Sequence, residues 1–262
     1  MIYLATLFSL ALSTSATGQP EPLKEKEAVI WYLGHSGWAI ETQSRFLIFD
    51  YWEESDPTEP RELANGHIDP QEIKDRKVVV FVSHGHRDHF DPRILEWKET
   101  IPEVEYIFGW KAEQGPDVIE CDFEREDMDI DGLRIRTIVH DGDGIPESAF
   151  LIELDGLTIF HSGDHGNGPA PFKDHFVDNL NYLAKIAPVI DMIFIPTWGE
   201  ESFVIKKLEP TITFPMHDIG REHNYKEFAE RAEKENLPTK VIAAEKQGDR
   251  FFYSNGKMKS SK

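Results

Sequence analysis

Lys77-Val78-Val79-Val80-Phe81-Val82-Ser83 runs directly into His84-Gly85-His86-Arg87-Asp88-His89. The first seven residues form a near-continuous β-branched and aromatic run, the pattern of a strand buried on both faces. The next six carry three histidines and an aspartate. Side chains two apart share a face, so a strand ending in a tight turn projects His84 and His86 together. Asp88 and His89 then fall where the chain turns away, toward a neighbouring position. Asp91-Pro92 places an N-cap before a proline at the first helical position, predicting a helix that runs to about Glu99. Four imidazole and carboxylate groups at the mouth of a sheet suit one or two divalent metals, with zinc, iron or manganese favoured over a thiolate-type site.

Outward from this stretch, the chain reads as strands and helices mixed. Ala28 to Leu33, Trp38 to Thr42 and Phe46 to Asp50 are rich in β-formers and separated by turn residues, which predicts a meander. Leu133 to Val139, Ala149 to Leu154 and Leu157 to Phe160 are three further strands, the last two joined by the hairpin signal Asp155-Gly156. Ile190 to Ile195 is another buried strand, and Asn179 to Ile186 and Tyr225 to Asn236 have helical character. Val241 to Ala244 and Arg250 to Tyr253 read as closing strands, with a frayed tail from Lys257 to Lys262. No repeat or linker divides the chain.

The chain has 262 residues, 28 Lys plus Arg and 48 Asp plus Glu, for a formal charge of −20. A body this acidic is repelled by a phosphate backbone, which argues against nucleic acid as a partner. Cys121 is the single cysteine, so neither an intramolecular disulfide nor a thiolate zinc cage is available. Ile2 to Ala16 is apolar or small, too short and too Ser/Thr-diluted to span a membrane comfortably, and Ala16 and Gly18 sit where a leader is cleaved. The expectation is a signal peptide over residues 1–18 and one mature domain over 19–262, exported to the periplasm or medium. No lysine or arginine precedes the apolar run.

The H-x-H-x-D-H sequence after an apolar strand resembles the metallo-β-lactamase superfamily. Trp31-Tyr32-Leu33-Gly34-His35-Ser36, with Asp50 closing the third strand, is similar to the branch that includes ascorbate-6-phosphate lactonase and related metal-dependent hydrolases. That branch also contains phospholipases acting on N-acyl phosphatidylethanolamine. The resemblance runs from about Ala28 to about His217. It implies an α+β protein, a four-layer αββα sandwich with the site at one edge.

It also implies the remaining ligands. His140 ends a strand, His161-Ser162-Gly163-Asp164 supplies an aspartate after the next hairpin, and Pro215-Met216-His217 supplies the last histidine. The resemblance implies one metal held by His84, His86 and His140, a second by Asp88, His89 and His217, and Asp164 bridging them. Two divalent ions, zinc first and manganese or iron as alternatives, share a water that ionises near neutral pH and attacks an acyl or phosphoryl centre. Asp88 or Asp164 orients that hydroxide or carries its proton. His35 hydrogen-bonds substrate or a metal-bound carboxylate, and His161 supports the ligands rather than joining them. Ser36, Ser83 and Ser162 read as turn residues, outside any nucleophile-elbow pattern.

Two departures from the family pattern fall where substrate would be contacted. His165 stands where relatives commonly have a small hydroxyl residue, followed by a Gly166 to Pro169 rim. Pro196-Thr197-Trp198-Gly199 replaces a glycine-rich turn, so Trp198 either lines the pocket or covers core. Asp127, Asp129, Asp131 and Gly132 begin a calcium-loop pattern, but its twelfth position is Ile138, where a bidentate glutamate is needed. Asp131-Gly132 is therefore a hairpin turn. Trp31, Trp38, Tyr51 and Trp52 read as core more readily than as pocket wall, and no partner is identified for His67, His175 or His223.

The expected activity is metal-dependent hydrolysis of an ester, lactone, amide or phosphoester bond of a small molecule. The alternatives are a phosphodiesterase or phospholipase D-like hydrolase, and an exported metal-binding or sensor protein without turnover.

Overall fold

The computed structural model describes residues 21–259 except 116, 123, 141–143, 167–171 and 199. The leader expected over residues 1–18, the centre of the acidic loop after His140 and most of the rim after Gly166 lie outside the described residues.

Two mixed sheets face each other. The first contains β1 (Glu27–Gly34), β2 (Gly37–Glu41), β3 (Phe46–Phe49), β4 (Val78–Val82), β5 (Val104–Phe108), β6 (Val118–Glu120), β14 (Arg250–Ser254) and β15 (Lys257–Lys259). Its spatial order is β15-β14-β1-β2-β3-β4-β5-β6. The second contains β7 (Asp127–Ile130), β8 (Leu133–His140), β9 (Glu147–Leu154), β10 (Leu157–His161), β11 (Met192–Pro196), β12 (Ile212–Met216) and β13 (Lys240–Val241), ordered β13-β12-β11-β10-β9-β8-β7. The helices are α1 (Pro70–Ile73), α2 (Phe172–Ile186), α3 (Glu201–Leu208) and α4 (His223–Lys234).

Three apolar clusters account for the layering. Between the sheets, Trp38 lies 5.0 Å from both Phe194 and Phe214, and Phe81 meets Phe150 at 5.2 Å. These contacts join the two inner faces in one core. The outer face of the first sheet packs under α1 and a 3₁₀ segment, with Trp97 against Tyr51. The outer face of the second packs under α2, α3 and α4 through Phe176, Leu183, Ile205 and Phe228. The result is the expected αββα sandwich. β4, fully buried, pairs in parallel with both β3 and β5, which explains its unbroken apolar sequence.

The differences from the sequence reading are local. Asp91 does cap the following segment, accepting from the Arg93 N–H at 3.0 Å, but Pro92–Glu99 is 3₁₀ rather than α-helical. α2 begins at Phe172, seven residues before the predicted start. The structure adds α3, β5, β6 and β12, which the sequence reading did not delimit. The aspartates of the calcium-like stretch form β7, and Asp131-Gly132 turns it back antiparallel onto β8. Trp31, Trp38 and Tyr51 are core. His67, assigned no partner from sequence, places Nδ1 3.1 Å from the buried carboxylate of Glu53.

Candidate metal centre

The site is built where β4, β10 and β12 end at one edge of the sandwich. His84 and His86 leave the end of β4, Asp164 follows β10, and His217 follows β12. His35 sits in the turn between β1 and β2. Its carbonyl accepts the His217 N–H at 3.0 Å, so the two sheets meet at these two histidines. His35, Asp50 and His217 hold φ values of 51°, 42° and 73°. Such left-handed backbone costs a non-glycine residue roughly 1 kcal/mol or more, and it persists where surrounding structure over-determines it.

Two groups of ligand-type atoms converge. One joins His84, His86 and Asp164; the other joins His35, Asp88, His89 and His217, and within each group the atoms lie within 4.8 Å of one another. His84 Nε2 is 3.1 Å from His86 Nδ1 and 3.7 Å from Asp164 Oδ2. Asp164 Oδ1 turns to the other group, 3.1 Å from both His89 Nε2 and His217 Nε2. The carboxylate of Asp164 therefore faces both clusters with one oxygen each. His140, at the end of β8, is buried with its ring packed 4.9 Å from that of His165, and it belongs to neither convergent group.

The donor set passes a direct test of fit. His89 Nε2, His217 Nε2 and Asp164 Oδ1 are buried, yet none makes a hydrogen bond, although each nitrogen lies 3.1 Å from the carboxylate oxygen. Buried polar atoms are ordinarily paired. Lone pairs that converge without satisfying one another are what a cation resolves, and imidazole nitrogens with carboxylate oxygens suit zinc, iron or manganese.

The surrounding bonds fix which nitrogen faces the centre. Asp50 is fully buried and accepts from the Ser83 backbone N–H and hydroxyl, both at 2.7 Å, while its Oδ2 lies 2.7 Å from His89 Nδ1. His89 therefore carries its proton on Nδ1 and presents Nε2 inward. The Ser83 hydroxyl, donating to Asp50, accepts from His84 Nδ1 at 3.0 Å, which leaves His84 Nε2 bare. Ser83, read from sequence as a turn residue, thus relays Asp50 to His84 and sets the tautomer of that ring. His161 donates from Nε2 to the Ser36 carbonyl at 2.9 Å and stacks on Phe49, so it braces the two loops. His165 is buried and accepts from Asn179 Nδ2 at 2.9 Å; burial pushes its imidazole down to about 3 and keeps it neutral.

Electrostatics follow the same geometry. The hydrogen bond from His35 Nε2, 3.2 Å from Oδ2, holds the Asp88 carboxyl well below the usual range. Burial lowers His84 to about 4. Trp52 edges against His35 at 5.7 Å, and half-exposed Trp198 covers His217 at 4.4 Å. Trp198 lines the site rather than the core. Glu147, fully buried and accepting the Asp164 N–H at 2.5 Å, was missed from sequence because it belongs to no motif.

A family model described as the beta-lactamase superfamily domain matches residues 29–217. A metal-dependent hydrolase from Methanosarcina mazei is 26% identical over 81% of this chain and 94% of its own length. One from Desulforamulus reducens is 28% identical, covering 71% of this chain and 82% of its own. Among solved structures, a metallo hydrolase from Ignicoccus hospitalis has a TM-score of 0.65 at 18% identity, covering 87% of this chain and 99% of that one. A diiron β-hydroxylase from Streptomyces venezuelae has a TM-score of 0.57 at 11% identity, covering 89% and 55%. At these identities the structural likenesses show the fold alone.

Proposed function

The chain belongs to the metallo-β-lactamase superfamily, and from that premise we propose that it is a dinuclear hydrolase of a small-molecule ester, lactone, amide or phosphoester. It is a metal-dependent hydrolase at the coarser level that its relatives share. The observation that carries the finer reading is Asp164, whose two oxygens address two separate ligand clusters. In this reading His84 Nε2, His86 Nδ1 and Asp164 Oδ2 hold one divalent ion, with His140 the ligand expected to complete it. Asp88, His89, His217 and Asp164 Oδ1 hold the other. Zinc is the first candidate.

Two divalent ions held there would supply Lewis acidity, lowering the pKa of a bound water toward neutral and polarising an acyl or phosphoryl oxygen. The chain's own residues do the rest. Asp88 is the most open carboxylate of the group, its side chain 39% exposed against 18% for Asp164. His35 engages one Asp88 oxygen, so the other is placed to accept a hydrogen bond from the attacking water and orient it. Asp164 fixes the separation of the clusters. Trp198 and Trp52 wall the cleft and limit water around the reacting bond. Export by a leader over residues 1–18 belongs to the same proposal.

A panel of ester, lactone, amide and phosphodiester substrates, assayed with the metal-loaded chain and with His86→Ala, tests the reading. Turnover that disappears with His86→Ala supports it. Retained metal with no turnover across the panel favours a binding or sensor protein instead.

A further inference from the structure

Two buried carboxylates, Asp50 and Glu147, stand behind the ligand clusters. Asp50 serves His89, and it lies at the end of a strand where the sequence singles it out. Glu147 has no such signal. It opens β9 directly opposite His140 in the β8–β9 register, and its side chain is 2% exposed. Its Oε1 accepts the Asp164 backbone N–H at 2.5 Å, and its Oε2 lies 3.9 Å from His84 Nδ1. The turn above it is shaped around this carboxylate. Gly163 has φ +53°, and a Cβ there would sit 2.6 Å from Glu147 Oε1 and 2.7 Å from Ser83 Cβ. The chain between His161 and Asp164 is therefore drawn down onto Glu147.

We propose that Glu147 is a positioning residue for Asp164, gripping its backbone N–H so that one side-chain oxygen faces each ligand cluster. This rests on the dinuclear reading of the site. With the N–H anchored, Asp164 Oδ2 stays toward His84 and Oδ1 stays between His89 and His217. The role needs an acceptor at that distance rather than a negative charge. A glutamine offers the same acceptor oxygen at the same length. A methionine matches the length and offers none worth the name. An aspartate withdraws the acceptor by one methylene.

The test is zinc affinity of the demetallated full-length chain, by competition with a chromogenic chelator, with folding checked by circular dichroism. Wild type is expected to take up two ions. Glu147→Gln is expected to stay within about threefold of wild type, since an acceptor of the same reach is kept. Glu147→Met is expected to weaken zinc binding about 10- to 100-fold, the loss typical of removing a partner that orients a metal ligand. If Glu147→Met does not fold, Glu147→Asp takes its place and is read the same way. A wild type that binds two ions, with the Met or Asp variant unchanged or the Gln variant weakened equally, overturns the proposal alone. A wild type that takes up no zinc overturns the dinuclear reading and this proposal with it.

Discussion

Asp50 Oδ2 lies 2.7 Å from His89 Nδ1, and the two side chains are fully buried together where β3 and β4 end. The carboxylate fixes the imidazole with its proton outward and Nε2 toward Asp164. Asp50→Asn keeps an acceptor for the Ser83 N–H but turns an amide donor toward Nδ1. His89 must then carry its proton on Nε2, pointing at the centre. The expected result is a loss of about 10- to 100-fold in metal affinity, read by chelator competition. Unchanged affinity would show that the tautomer is set elsewhere.

Tyr253 on β14 reaches across the sandwich. Its hydroxyl donates to Asp191 Oδ1 at 2.5 Å, and Asp191 Oδ2 accepts the Thr158 N–H at 2.9 Å. One carboxylate thereby ties the first sheet to the second. Tyr253→Phe should cost about 1–2 kcal/mol in urea unfolding, because a buried acceptor loses its partner. It should leave metal content alone, since the pair lies away from the ligand clusters.

Glu53 supplies a pH dependence independent of the metal centre. Its buried carboxylate meets His67 Nδ1, Arg61, the Tyr51 hydroxyl and Arg93, and these partners outweigh burial to lower it to about 2. A carboxyl lowered on folding stabilises the fold fully above its unfolded value of 4.5, and that stabilisation is lost as pH falls toward 2. Glu53→Gln should therefore unfold more easily than wild type at pH 7, by about 1–3 kcal/mol. The gap should shrink between pH 4.5 and 2 in thermal melts. A gap independent of pH would contradict the pairing.

Trp198 packs on His217 at 4.4 Å and is 50% exposed. Its indole should report the state of that histidine. Adding zinc to demetallated chain is expected to change the tryptophan emission, and Trp198→Phe should remove at least about half of the change. The substitution should alter stability by less than about 1 kcal/mol, because half of the ring faces water. An emission change that survives Trp198→Phe intact would place the signal on Trp52 or another indole.

Much of this was legible in the chain. Lys77 to Ser83 announces a doubly buried strand, and His84 to His89 announces ligands, because periodicity and residue chemistry are local properties. The Asp131-Gly132 and Asp155-Gly156 turns were equally readable, since their backbone conformations select those residues. The contribution of Ser83 was hidden, as a hydroxyl relay between Asp50 and His84 exists only once β3 and β4 are paired. Glu147 was hidden for the same reason: its partner is a backbone N–H seventeen residues away. His35 looked like a group for the substrate or a carboxylate; its place within 4.8 Å of the other three ligand atoms depends on the β1–β2 turn meeting β12 across the sandwich.

The central claim is that Asp164 stands between two metal positions. The most direct test is metal content per chain by elemental mass spectrometry, on protein purified without chelator, with Asp88→Ala alongside. The account predicts about two zinc or manganese ions in wild type and about one in the variant, because Asp88 serves only the second cluster. No metal in wild type, even after reconstitution with zinc, manganese and iron, would contradict it.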